Sequence, residues 1–185
     1  MYNSVDNRVS AAEKYIVGLG WSLVLVHGYG NSAKKPVFVG WPDLRPNPEW
    51  FEVALQQWGD AGLGVNLGAS GLIDLEGDSE EGEAVLDDLC QDVEFPFYQS
   101  RRSKHRIFQS SPDVTHLDLK SLKIEFRAGR HQSILPPSIM DGVQYKWIVS
   151  PFDTPPPPLP ARVLEFYHQQ RAKPENAPAA SPRAV

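Results

Sequence analysis

Apolar positions recur along this chain with periods that change from helical to strand-like. Val5, Val9, Ala12, Ile16 and Leu19 fall at helical spacing and predict an amphipathic helix over roughly 4–18, closed by Gly18 or Gly20. Trp21 to Val26 is an unbroken apolar run ending in His27, the pattern of a buried strand. A loop from Gly28 to Ala33 leads to Lys34-Lys35-Pro36 and Gly40-Trp41. Asn47-Pro48 marks a helix start, with Asn as N-cap and Pro at the first helical position, and Phe51, Ala54, Leu55 and Trp58 form the buried stripe. Asp78-Ser-Glu-Glu81 opens a third helix to about Gln91, with Val85, Leu86 and Leu89 inward. Strands are expected at Phe95–Gln99, Arg106–Gln109, Leu122–Arg127 and Tyr145–Val149, an extended run at Ser133–Pro137, and a loop or short turn over Asp113–Lys120. Thr154 to Pro160 is a stiff Pro-rich spacer, Ala161–Arg171 a short helix, and residues 172–185 an Ala/Pro-rich disordered tail.

One stretch carries unusual chemistry. Gly64–Leu67 and Leu72–Glu76 read as the two arms of a hairpin, turned at Gly68-Ala-Ser-Gly71. On the second arm Leu72, Ile73 and Leu75 surround Asp74 and Glu76, which share a face about 6.6 Å apart along the strand. An isolated pair of this kind is ordinarily the polar face of a half-buried strand. Two carboxylates held this close repel, and a cation between them removes that cost; hard oxygen donors suit Mg²⁺ or Mn²⁺ rather than Zn²⁺.

Composition narrows the setting. The chain has 185 residues, 41% apolar, enough for one domain with a real core, and its five Trp argue against global disorder. Its formal charge of −5 argues against a generally basic nucleic-acid coat, although net charge averages over patches. The acids are concentrated: residues 71–94 hold ten and no Lys or Arg, most of them the solvated face of the third helix. The single cysteine, Cys90, excludes an intramolecular disulfide framework and a multi-cysteine zinc site. No apolar run has membrane-spanning length and Met1–Asp6 is polar, so a cytoplasmic, reducing setting is expected.

Basic clusters change the weight of the acids. Arg101-Arg102-Ser103-Lys104-His105-Arg106 has four permanent cations and no acid, and Arg127, Arg130 and His131 form a second group. Leu122, Ile124 and Phe126 alternate with Lys123, Glu125 and Arg127, which brings a third strand-borne acid, Glu125, into the set. Carboxylates that bind divalent metal beside cations that bind phosphate are what phosphoryl or nucleotidyl transfer requires: two metal ions about 4 Å apart activate the attacking hydroxyl and neutralise the leaving group, while Arg, Lys and His hold the triphosphate. The pattern alone does not separate a polymerase from a nuclease.

At this point the chain resembles a family. Gly20-Trp21, Lys34-Lys-Pro36, Gly40-Trp41, Trp58-Gly-Asp-Ala-Gly-Leu-Gly64, Gly68-Ala-Ser-Gly-Leu-Ile-Asp-Leu-Glu76, Glu81-Gly82, Ser103-Lys-His105, Glu125, Ala128-Gly129, Leu135-Pro-Pro-Ser138 and Tyr145-Lys-Trp147 follow the order of the bifunctional DNA primase/polymerase (prim-pol) domain of the archaeo-eukaryotic primase superfamily. The resemblance covers about residues 10–150. It implies an α+β fold, with an RNA-recognition-motif-like (RRM-like) palm of mainly antiparallel strands and flanking helices. It makes Asp74, Glu76 and Glu125 the catalytic metal ligands for Mg²⁺ or Mn²⁺. Ser103, Lys104 and His105 become contacts to the incoming nucleotide, with Lys34, Lys35, Arg127 and Arg130 as weaker transfers and Arg101, Arg102 and Arg106 as nucleic-acid contacts. His27 and His116 lie outside its motifs. Many relatives have glycines where this chain has Arg101-Arg102, and the zinc element of several primases is absent.

The resulting expectation is a template-dependent nucleotidyltransferase that extends a 3′-hydroxyl or initiates a primer. Its partners would be nucleoside triphosphates, a single-stranded DNA template and primer, and a helicase domain or partner reached through the Pro-rich stretch, with no membrane. The expected division is a catalytic domain over 1–152, a linker over 153–160, and a helix and tail over 161–185. The alternatives are a non-catalytic single-stranded nucleic-acid-binding module on the same fold and a metal-dependent nuclease.

Overall fold

A computed structural model describes residues 5–174 of the chain. In chain order the elements are α1 (Val5–Glu13), continued by a π turn over Lys14–Gly18, β1 (Leu23–Val26), α2 (Pro48–Gln57), β2 (Gly62–Asn66), β3 (Leu72–Gly77) and α3 (Glu80–Cys90). Then follow β4 (Phe97–Gln99), β5 (Lys104–Gln109), β6 (Leu117–Leu119), β7 (Ile124–Arg127), β8 (Gln132–Leu135), β9 (Ile139–Met140), β10 (Val143–Gln144), β11 (Lys146–Val149) and α4 (Ala161–Arg171). The local signals act as their chemistry dictates. The Asn47 side chain accepts the Trp50 N–H at 2.9 Å, and Ser79 Oγ accepts the Gly82 N–H at 3.1 Å, each satisfying a donor that the first helical turn leaves unpaired.

The architecture is α+β, and every sheet ladder is antiparallel. The strands form a six-stranded sheet in the order β11-β4-β5-β3-β7-β6, a three-stranded sheet β1-β2-β8, and the small β9-β10 ladder. Side chains alternate across the six-stranded sheet, so it feeds two cores. Ile73, Leu75, Phe108, Ile124 and Phe126 pack with Leu86 of α3 and with Val163 and Tyr167 of α4. Leu72, Tyr98 and Ile107 face the other way, into a core with Phe51 and Leu55 of α2 and the three-stranded sheet. No described helix is long and apolar enough to cross a membrane.

Three sequence expectations change. Gly64–Leu67 and Leu72–Glu76 are not hairpin partners: β2 is flanked on both sides by β1 and β8, while β3 pairs with β5 and β7. The turn is real, closed by Ser70 N–H to Asn66 O at 3.0 Å and Leu72 N–H to Leu67 O at 2.9 Å, with Gly71 at φ +64°. It passes the chain from one sheet to the other because both edges of β2 are already taken. In the same way β3 is not half-exposed, since all six of its residues are buried between the two cores. Finally, the stretch 113–120 contains a strand, β6, which pairs with β7 and buries Leu117 and Leu119.

The Pro-rich run lies along the sheet. The Gln109 N–H donates to Pro157 O at 2.9 Å and Gln109 Nε2 to Pro156 O at 2.9 Å. α4 follows it onto α3, where Arg162 donates to the Asp88 carbonyl and carboxylate at 2.7 Å each. The tail expected over 172–185 lies, from residue 175 onward, outside the described residues.

Candidate active site

An inner strand of the larger sheet, β3, supplies two of the three acids. With Ile73 and Leu75 turned under α3 and α4, Asp74 and Glu76 are left on the opposite face, between the two sheets. Glu125 stands directly across from Glu76, and Arg127 directly across from Asp74. On the other flank β5 presents His105 to the same face, stacked on its cross-strand neighbour Tyr98 at 4.6 Å between ring centroids. The three expected acids and the motif histidine are thus assembled by adjacent strands.

A continuous network joins them. His105 Nδ1 lies 2.7 Å from Asp74 Oδ2, and His105 Nε2 lies 3.4 Å from Glu76 Oε2. Ser133 Oγ of β8 donates to Asp74 Oδ2 at 2.5 Å, and Ser103 Oγ donates to Glu76 Oε2 at 3.0 Å. The Arg127 guanidinium bridges two carboxylates: its Nη2 pairs with Glu76 Oε1 and, at 2.8 Å, with Glu125 Oε2. Asp74 Oδ1 is fully buried and has no hydrogen-bond partner.

These contacts pull the ionisations apart. Burial works to raise Asp74, but the charge and hydrogen bond of His105, helped by Arg127 and Ser133, outweigh it and hold this carboxyl below its ordinary value. Glu76 goes the other way: burial, reinforced by the negative charge of Asp74, pushes it up to about 7 against His105 and Arg127. Burial works against the His105 imidazolium, yet Asp74 and Glu76 prevail and raise it. Burial also works to raise Glu125, and the Arg127 bond and charge overcome it, so Glu125 is lowered. At neutral pH Asp74 and Glu125 are anionic and Arg127 is cationic, while Glu76 titrates close to neutrality and His105 is shifted toward its cationic form.

Beside the network opens a cavity of about 160 Å³, lined by Glu76, His105, Arg127, Lys34 and Arg102 among others. A larger hollow of about 360 Å³ at His27, Tyr29, Trp58 and Asp60 shares no lining residue with it and holds none of the acids described above. Of the expected cations, Lys34, Arg102, His105 and Arg127 therefore meet at one opening, together with Ser103. Others do not. Arg106 is fully buried on the reverse face of the sheet, paired with Glu83 at 2.5 Å and Asp87 at 2.7 Å, which removes it from any nucleic-acid surface. Lys104, its neighbour on that face, pairs with Asp87 at 2.6 Å. Strand alternation is the reason: residues 104 and 106 face α3, and 105 faces the acids. Arg130 is exposed and forked onto Asp43 at 3.2 Å, and Lys35 and Arg101 are exposed without lining the cavity.

Several participants had no site role in the sequence reading. Ser133, Gln132 and Ile134 come from β8 of the other sheet, and Tyr145 from the stretch before β11. His116 stacks on His131 at 3.9 Å and lies 3.7 Å from Glu125 Oε1. Ser133, Gln132, Ile134 and His116 lie in no pattern that marks them, and only packing of the two sheets brings them there; Tyr145 falls in one of the family motifs and His131 in the second basic group, neither with a role assigned to it.

A family model described as bifunctional DNA primase/polymerase, N-terminal (Prim-Pol), matches residues 12–162, well over half of the chain. The chain belongs to the Prim-Pol family. A search of curated proteins returned no match. The family suggests primase/polymerase activity, and the Prim-Pol match runs from within α1 through to the first residues of α4, enclosing the acids, His105 and the cavity.

In this Prim-Pol domain Asp74, Glu76 and Glu125 are the residues that could hold a metal ion. Their donor set is all carboxylate oxygen, and the orphaned Asp74 Oδ1 is a buried acceptor that a cation would satisfy. Two basic side chains already sit among them, His105 between Asp74 and Glu76, and Arg127 between Glu76 and Glu125. Among the described residues no group of three or more acids, His or Cys is set to enclose a metal ion.

Proposed function

We propose that this Prim-Pol domain is a template-directed nucleotidyltransferase dependent on Mg²⁺ or Mn²⁺, adding nucleotides to a 3′-hydroxyl or initiating a primer. The observation that carries the proposal is a cluster of three strand-borne carboxylates that opens, through Glu76, onto a cavity also lined by Lys34, Arg102, His105 and Arg127. When bound, the divalent ions would supply activation of the hydroxyl and neutralisation of phosphate charge. The chain's own residues do the rest. Asp74 and Glu76, buried on a central strand, hold their carboxylates in fixed positions. Ser103, His105, Lys34 and Arg102 form a cationic, hydrogen-bonding wall that would receive a triphosphate, Arg as a fork and Lys as a point charge. Arg101 and Arg102, at the exposed tip of the β4–β5 turn, would meet the backbone of a single-stranded template or primer.

The topology supports an RRM-like palm: β4-β5-β3-β7 lie side by side, all antiparallel, and α3 makes the crossover between β3 and β4. In that comparison β6 stands where a second crossover helix would come, and α4 follows later.

Primer extension in Mn²⁺ with nucleoside triphosphates tests the assignment. Wild type should extend a labelled primer, and Asp74→Ala/Glu76→Ala should lose at least about a hundredfold; equal activity overturns it. One observation favours a second reading, a non-catalytic single-strand-binding module: Glu76 and Glu125 are already neutralised by Arg127. That reading expects salt-sensitive binding to single strands, indifferent to divalent metal and to loss of the acids.

A further inference from the structure

We infer that Arg127 is an internal counter-ion standing in the place of a divalent cation between Glu76 and Glu125, and that it leaves that place for the phosphates when a triphosphate arrives, so that metal and nucleotide enter the site together. The inference rests on the nucleotidyltransferase reading above and adds an order of events to it.

The geometry is specific to this one side chain. Arg127 Nη2 touches Glu76 Oε1 and Glu125 Oε2 at once, and Arg127 Nε reaches Glu125 Oε1 at 3.3 Å. A single guanidinium nitrogen thus occupies the gap between two of the three acids. Lys34 and Arg102 line the same cavity and make no ion pair with these acids among the described residues. A divalent ion entering beside Arg127 would meet a positive charge held by the same oxygens, so the two compete.

Arg127 also has somewhere to go. Its side chain is 24% exposed and lines the cavity, whereas Glu76 is 7% exposed. Its Nη1 has only a long contact, 3.4 Å, to the Gln132 carbonyl, so this edge of the fork is weakly held on the cavity side. A triphosphate offers paired anionic oxygens, which match a guanidinium fork better than two separate carboxylates do. Transfer of Arg127 to phosphate frees Glu76 and Glu125 for the metal, and by linkage the metal favours the transferred arrangement.

The test is Mn²⁺ binding, followed by electron paramagnetic resonance, on wild type, Arg127→Gln and Arg127→Lys. The probes are Mn²⁺ alone and the preformed complex of Mn²⁺ with inorganic tripolyphosphate. Arg127→Gln should bind Mn²⁺ alone at least about tenfold more tightly than wild type, and the Mn²⁺–tripolyphosphate complex at least about tenfold more weakly. Arg127→Lys, which keeps the charge without the fork, should lie between them in both. These opposite signs are the signature, because a residue that merely supports the fold would weaken both. If Arg127→Gln does not fold, the wild type alone decides: binding of Mn²⁺ as tight alone as in the complex overturns the inference. Mn²⁺ bound equally by wild type and Arg127→Gln, yet lost in Asp74→Asn, overturns the role of Arg127 and leaves the nucleotidyltransferase reading standing. No binding of either probe to any protein overturns both.

Discussion

Glu76 is buried between two basic side chains and beside two carboxylates, and burial above all decides how it titrates. Its folded value of about 7 stands above the ordinary glutamate range, so between about 4.5 and 7 the folded protein holds a proton that the unfolded chain has released. Stability must then fall as pH rises through this window. The raised His105 works in the same direction, its contribution being lost as pH rises above the ordinary histidine range. The lowered Asp74 has its effect elsewhere, stabilising above the ordinary aspartate value and losing that below it. Urea unfolding in chelator should therefore show a lower midpoint at pH 8 than at pH 5.5, and Glu76→Gln should flatten that difference; an unchanged pH dependence in the variant would sink the assignment. The same scale explains Arg106: a cation in a basic run looks like a surface residue, and its fate depended on which strand face it fell.

At the scale of elements, β3 is held from both sides and α3 fixes its end. Gly77 closes β3 where α3 begins, and a Cβ there would stand 2.7 Å from the Glu83 amide and 2.8 Å from the Gly82 carbonyl carbon, both backbone. Gly77→Ala must push α3 off the sheet, at a cost of about 1–3 kcal/mol. Glu83 is the coupling point, accepting the Lys104 amide at 2.8 Å and the Arg106 guanidinium at 2.5 Å, so the displacement reaches β5, the strand that carries His105. Thermal unfolding measures the loss; a variant as stable as wild type would show that α3 does not need this close approach.

For the whole molecule, α4 is part of the packed body. Val163 and Tyr167 are buried against Phe126, the residue between Glu125 and Arg127, and Tyr167 Oη accepts the Thr115 N–H at 3.0 Å. The core beneath the acidic strand is thus completed from residues beyond the Pro-rich run. Tyr167→Ala should cost about 3 kcal/mol or more in urea unfolding through the cavity it leaves. Below its own melting temperature it should still bind Mn²⁺–tripolyphosphate, since Tyr167 lies on the other face of the sheet from the carboxylates. A stability equal to wild type would mean that α4 is only laid on the surface.

What the sequence determined by itself was local. Helix caps at Asn47 and Ser79, the alternation at 122–127, and the carboxylate pair at Asp74 and Glu76 rest on neighbours within a few residues, where backbone chemistry and side-chain period decide. The order of motifs carried the family and, with it, the meeting of Asp74, Glu76, Glu125 and His105. Only the tertiary structure decided the partner of each strand. It sent β2 and β3 into different sheets, brought Ser133 from β8 to Asp74, buried Arg106 and set Arg127 between two acids. Strand pairing joins residues far apart in the chain through backbone bonds that carry no side-chain identity, so the sequence pattern does not name the partner.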